Sequence, residues 1–262
     1  MTRPIPALPA LSVAVAAFLA ATATQGARAQ NGEVIPFDEA NVFAELNDTD
    51  GDLGFHALID GDAWTRLTIK DPTGRQILVV RAQRRLARQG LSELFFESEE
   101  PELDELSPEE FFRRFPAGRY TISGLTTEGE ELESTARFRH VMPAPPDGIV
   151  VAGTPFDLEL IDCDEEVPVV ADTAPFVISW DPVTDSHPEV GRDGAVVVTN
   201  YQLVVEREEP TLLVFSVDLP PDVTEVEVPA GFLALGDELK FEILVRERSG
   251  NQTAVESCFA FE

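Results

Sequence analysis

The chain is 262 residues long, 44% apolar and 26% charged, with 48 acidic residues against 19 basic ones. That length suits about two domains at ~150 residues each, and the apolar content lets each bury a core, which excludes a disordered chain. A surface this negative repels nucleic-acid phosphates and anionic lipid, so neither is an expected partner.

The N-terminus reads as an export signal. Arg3 gives a positive start, Leu8 to Ala23 is a short apolar run, and Ala27-Arg28-Ala29 sets small residues at cleavage spacing before Gln30. Residues 1–29 are expected to be removed. A retained anchor is the competing reading, but the run falls short of the about 20 apolar residues a spanning helix needs. No stable membrane insertion is expected after cleavage. The protein is expected in the periplasm or outside the cell, as a bacterial exported protein.

Residues 37–142 read as a β-rich domain. The stretch Asn47 to His56, NDTDGDLGFH, carries Asp48, Asp50 and Asp52 in alternation. Alternating carboxylates hold calcium in some loops. An EF-hand loop starting at Asp48 would want Gly sixth and an acid twelfth, and Leu53 and Ile59 stand there. Calcium at these three aspartates is therefore weighed against a solvated acidic turn, and the turn is favoured. Asp60-Gly61 signals a two-residue hairpin. Trp64, Leu67 and Ile69 belong to the strand that follows, and Asp71 to Gly74 form a turn.

Arg81, Arg84, Arg85 and Arg88 fall on a helical stripe, although the same residues can continue a strand into a hairpin at Gln89-Gly90. Nine acids lie between Glu93 and Glu110. Pairing of the arginines with these acids is the favoured reading; a site for an anionic glycan or phosphate is the alternative. A short helix is expected at about 107–115. Ser107 can cap it, Pro108 suits its first position and Glu110 completes a capping box. Pro116 ends it. The prolines of Pro143 to Gly148 mark a solvated linker between two domains.

From 149 to 262 short strands recur with turn signals between them, the pattern of a β-sandwich. VISWDPV (Val177 to Val183), with Trp180 inward, and NYQLVVE, with Tyr201 and Leu203 inward, resemble the fibronectin type III family. LALGDELKFEILVRERSGN resembles that family's last hairpin. The resemblance covers roughly the last 115 residues and implies an immunoglobulin-like sandwich used as a spacer or binding surface. Leu239 stands where the family has a corner tyrosine, and the loop Thr184 to Val197 is longer than usual. The fold class is therefore mainly β, two β-sandwich-like domains, the first with one short helix.

Cys163 and Cys258 are the only cysteines, and an exported chain meets an oxidising compartment. Both have the parity opposite to the apolar residues of their strands, FDLELIDC and AVESCFAF, so a disulfide between neighbouring terminal strands is expected.

No G-x-S-x-G, G-x-x-x-x-G-K-[ST] or G-x-G-x-x-G occurs. His56, His140 and His187 sit in unrelated contexts and read as strand or loop residues. The expectation is a non-catalytic binding or structural protein with no cofactor, acting on an unknown protein or glycan. The alternatives are a carboxylate-dependent polysaccharide hydrolase and a calcium-dependent glycan-binding protein. A hydrolase would want aromatics along a groove, and the two Trp and Tyr201 have core explanations.

Overall fold

The computed structural model describes residues 34–158, 161, 163, 167–172, 174–208 and 210–261; the expected signal at 1–29 lies outside them. The fold is mainly β and β-sandwich-like, with sheets that do not close. The first half holds β1 (Glu39–Asn47), β2 (Asp52–Lys70), β3 (Gln76–Arg81), α1 (Arg84–Gln89), β4 (Leu91–Glu97), α2 (Pro108–Arg114), β5 (Gly118–Thr126), β6 (Glu131–Phe138) and β7 (Val141–Pro143). The second holds β8 (Val150–Val151), β9 (Thr154–Pro155), β10 (Val169–Val170), β11 (Val177–Ser179), β12 (Ser186–Gly191), β13 (Val198–Arg207), β14 (Leu213–Leu219), β15 (Glu225–Glu227), α3 (Ala230–Leu233), β16 (Glu238–Glu247) and β17 (Gln252–Phe261).

Strand alternation builds the first core. Val42, Ala44 and Leu46 of β1 point to the same side as Leu53, Phe55 and Ala57 of β2, and all are buried. Helix α2 covers that side with Phe111 and Phe112. Ser107 caps it, its Oγ accepting from Glu110 N at 3.4 Å. The helix thus falls where its cap and prolines put it.

Two local expectations for this half are corrected. Asp60-Gly61 is not a hairpin turn, because β2 runs through it for 19 residues. The strand bends instead, with register shifts against β4 and β5 on either side of Trp64. The Phe37 ring packs over Gly61, so close approach of a core aromatic accounts for the glycine. The region also has a second helix. The chain from Arg81 closes β3 and then turns into α1, which carries Arg84, Arg85 and Arg88 and buries nothing.

The second core is a sandwich. Tyr201, Leu203, Phe241, Ile243, Val255 and Phe259 line one sheet. Against them lies the four-stranded sheet β15-β11-β8-β9, with Val151 and Ile178 inward. Phe156 and Leu158 pack on this core but lie outside any strand, so the strand expected at FDLELI is not formed by its described residues. Cys163 and Cys258 form a disulfide with Cα atoms 5.9 Å apart.

The two cores share one sheet. Its order is β14-β13-β16-β17-β1-β2-β5-β6, and the junction is the parallel pairing of β1 with β17, Glu45 to Asn47 beside Gln252 to Ala254. The prolines of Pro143 to Gly148 are not a free linker: Pro143 and Pro146 are buried, and Ala144 N donates to Asp185 O at 2.9 Å. The partner is the long loop Thr184 to Val197. It forms β12, pairs with β7, and sends Val190 into the first core. Gly191 makes this approach possible: its φ is +89°, and a Cβ there would collide with His140 O.

Candidate functional site at the junction of the two cores

Period-two alternation puts every second residue of the shared sheet on the face away from both cores. At the junction that face is polar and mostly acidic. On β1 it carries Phe43, Glu45 and Asn47, beside His56, Gly54 and Asp52 of β2. Gln252 lies beside Glu45 and donates to its carboxylate. On the far side Glu256 of β17 stands directly opposite Glu242 of β16. Like charges so placed repel.

His56 is the centre of the acidic part. Its side chain is 1% exposed, and its Nε2 lies 2.8 Å from Glu100 Oε1. Glu100 reaches this point by lying across Gly54, where any Cβ would collide with its carboxylate. Glu97 is the cross-strand partner of His56. On its other side His56 Nδ1 faces Glu45 Oε2 at 3.9 Å, too far for a hydrogen bond, and Nδ1 has no partner.

Burial governs the charges here. It pushes Glu242 up to about 8, with Glu45, Glu256 and Glu206 adding repulsion. It pushes Glu256, Asp52 and Glu100 each up to about 7. Glu45 is raised by burial against the pull of His56, and His56 is lowered by burial against the pull of Glu45 and Glu97.

A pH dependence of stability follows. Unfolded Glu carboxyls titrate near 4.3. Above that value and below its own raised value, folded Glu242 holds a proton that the unfolded chain has lost. Stability is therefore expected to rise as pH falls from 8.5 to 6.5, with Glu242 alone giving about 2 kcal/mol. His56 works the other way only below about 6.5, where the unfolded ring takes up a proton first. Glu242→Gln should remove that ~2 kcal/mol, leave the part of the slope due to Glu256, Asp52 and Glu100, and be the more stable protein at pH 8.5. Urea midpoints at both pH values measure it; a parent profile that is flat or of opposite sign refutes it.

The three aspartates singled out in the sequence have separate surroundings. Asp48 Oδ1 lies 2.7 Å from His187 Nε2, a tie from the first half to the β12 arm. Asp50 Oδ2 accepts from Asn47 Nδ2 at 3.2 Å, within a turn in which Asn47 Oδ1 accepts from Thr49 N and Asp50 N. Asp52 opens β2 and faces Glu100 and Asp50. Among the described residues, no three His, Cys, Asp or Glu side chains stand, as placed, where they could jointly hold a metal ion. Arg81, Arg84, Arg85 and Arg88 form no ion pair within 4.0 Å among the described residues, so the expected pairing with the acidic run is not made. The run is spent elsewhere: Glu97 and Glu100 surround His56, and Glu110 pairs with Arg113 and Arg114 of its own helix.

The sequence reading missed His56, Glu45, Glu97 and Glu100 as a group. They come from three strands and a loop. The one local signal was a histidine on the side of β2 opposite its apolar residues.

No protein-family model matches this sequence, and no curated protein matches it. Solved structures give weak likenesses. One is to a tetra-tandem repeat in the extending region of a large adhesion protein, at 10% identity and a TM-score of 0.27. It covers 86% of this chain and 50% of that one. Another is to a structure described as giving insight into host cell surface retention of a 1.5-MDa bacterial ice-binding adhesin. There the identity is 12% and the TM-score 0.24, with 87% of this chain and 65% of that one covered. This chain thus spans half to two thirds of those two. At such TM-scores the likeness carries no functional argument.

No helix among the described residues is long and apolar enough to cross a membrane. Open clefts on the surface of the described residues include two with charged linings. One is lined by Arg137, Arg139 and Arg248, the other by Glu206, Glu208 and Lys240. Neither sets a Ser or Cys beside a histidine.

Proposed function

We propose that this protein is an exported, non-catalytic structural module, a stiff spacer or scaffold whose second half is a fibronectin type III-like unit. The observation that carries the reading is the parallel seam between β1 and β17. The strands overlap only at Glu45 to Asn47 and Gln252 to Ala254, so Glu39 and Phe261 lie at opposite ends of one strand line about 50 Å long at ~3.3 Å per residue. Tension between those ends loads the seam along the strands, so its hydrogen bonds resist together. The β12 arm, paired with β7, and the side chain of Asn251, bonded to Ala44 N, Arg139 O and Val141 O, brace the same junction. Support for the family likeness is Trp180 packed edge-on against Tyr201 at 5.5 Å, with Tyr201 Oη accepting from Val183 N at 2.8 Å. The disulfide suits an oxidising compartment.

A spacer braced in this way should unfold as one unit. Calorimetry is expected to give a single transition for both halves; two separated transitions would reject the stiff spacer. A polysaccharide hydrolysis screen is expected to be blank. Turnover lost on changing one carboxylate to its amide would reject the non-catalytic reading. For export, mass spectrometry of protein secreted by a bacterial host should find Gln30 at the N-terminus, and uncleaved chain in the cytoplasm would contradict it.

A further inference from the structure

Buried polar atoms almost always have partners, and those that lack one point to something else that binds there. Four buried side-chain atoms among the described residues lack a partner, and one of them, His56 Nδ1, faces carboxylates. When Glu100 is ionised its carboxylate accepts from His56 Nε2, which puts the ring proton there and leaves Nδ1 with a bare lone pair. A metal-ligating histidine is held in the same way, its other ring nitrogen donating to a carboxylate that orients it. The bare lone pair faces Glu45 Oε2 across 3.9 Å. Ligand bonds of about 2.1 Å to nitrogen and to oxygen bring two such atoms between roughly 3.4 Å, at a tetrahedral angle, and 4.2 Å, in line.

We propose that His56 Nδ1 and Glu45 Oε2 are two ligands of a divalent-cation site, with Glu97 as the third and Glu100 as the residue that orients the imidazole. Glu97 must rotate inward to complete it, and it starts as the cross-strand neighbour of His56 on the same face. Gln252 holds Glu45 in place through the oxygen that faces His56. Water takes the remaining position, because Glu45 and Glu100 are 18% and 14% exposed and give the site a route to solvent. An imidazole nitrogen among carboxylates selects a zinc- or manganese-class cation over calcium. The site uses none of Asp48, Asp50 and Asp52, although Asp52 faces its orienting residue Glu100, and it is independent of the spacer reading. Its position on β1 and β2, beside Gln252 of β17, places the cation at the junction of the two cores.

The test is calorimetric titration of the purified, chelator-treated protein with zinc chloride, with calcium chloride as the comparison, together with manganese broadening of NMR signals. One equivalent of zinc is expected to bind at micromolar concentration, and at least tenfold more tightly than calcium. Glu45→Gln should weaken zinc at least tenfold. Asp48→Asn, at the His187 contact, should not. Manganese should broaden the His56 ring and Gly54 amide signals of the unaltered protein first, a readout that needs no variant to fold. No zinc binding at millimolar concentration, binding undiminished in a folded Glu45→Gln variant, tighter calcium than zinc, or broadening centred on His140 or His187 would each overturn the site.

Discussion

Asn251→Ala is expected to lower the unfolding free energy by about 5 kcal/mol. Asn251 is fully buried, and its side chain ties three stretches of chain together. Its Oδ1 accepts from Ala44 N of β1 at 2.9 Å. Its Nδ2 donates to Arg139 O at 3.0 Å and to Val141 O at 2.9 Å, on either side of the entry to β7. Alanine leaves one buried N–H and two half-buried carbonyls unpaired, at about 1–3 kcal/mol each with the carbonyls at the lower end. The loss falls on the seam where the first half meets the second, so the variant should also split the single calorimetric transition. Urea unfolding of both proteins checks the magnitude. A loss under about 1 kcal/mol would mean that water enters and replaces the amide, and that the seam does not depend on it.

Removal of the disulfide is expected to have the next largest effect. Cys163 and Cys258 are 95 residues apart, so the bond restricts most of the second half in the unfolded chain. Closure of so long a loop is worth about 4.7 kcal/mol in the chain-entropy account, less any strain in the folded bond. The bond also fastens the segment before β10, which runs parallel to β17 at Val169–Ala260 and Val170–Phe261. A Cys163→Ser, Cys258→Ser double variant avoids leaving one free thiol. Its urea midpoint, compared with that of the oxidised parent, should show the full difference, and reductant should move the parent to the variant's value without moving the variant. An unchanged midpoint would refute the expectation.

Local physics accounts for what the sequence determined by itself. The α2 helix lies where Ser107, Pro108 and Pro116 put it, because caps and prolines act within a few residues. The mainly-β class, the inward Trp180, Tyr201 and Leu203, and the off-core parity of Cys258 follow from period-two alternation, which any reader of the chain can count. Asp60-Gly61 misled because its turn preference is weak beside the ladders that β4 and β5 build along β2. Only the tertiary structure decided the rest. Nothing in Glu45, His56, Glu97, Glu100, Glu242 and Glu256 marks them apart from the other acids and histidines of an acidic chain. Glu45, His56 and Glu97 meet because β2 pairs with both β1 and β4, and Gln252, Glu256 and Glu242 join them because β1 pairs with β17, more than 200 residues away; neither choice of neighbour leaves a periodic trace. The long loop Thr184 to Val197 was visible as an oddity of length, but its use as an arm rests on Val190 and Gly191 meeting the first core. Side-chain alternation is set within one strand; the choice of neighbouring strand is set by the burial of whole faces, and that exists only once the chain has folded.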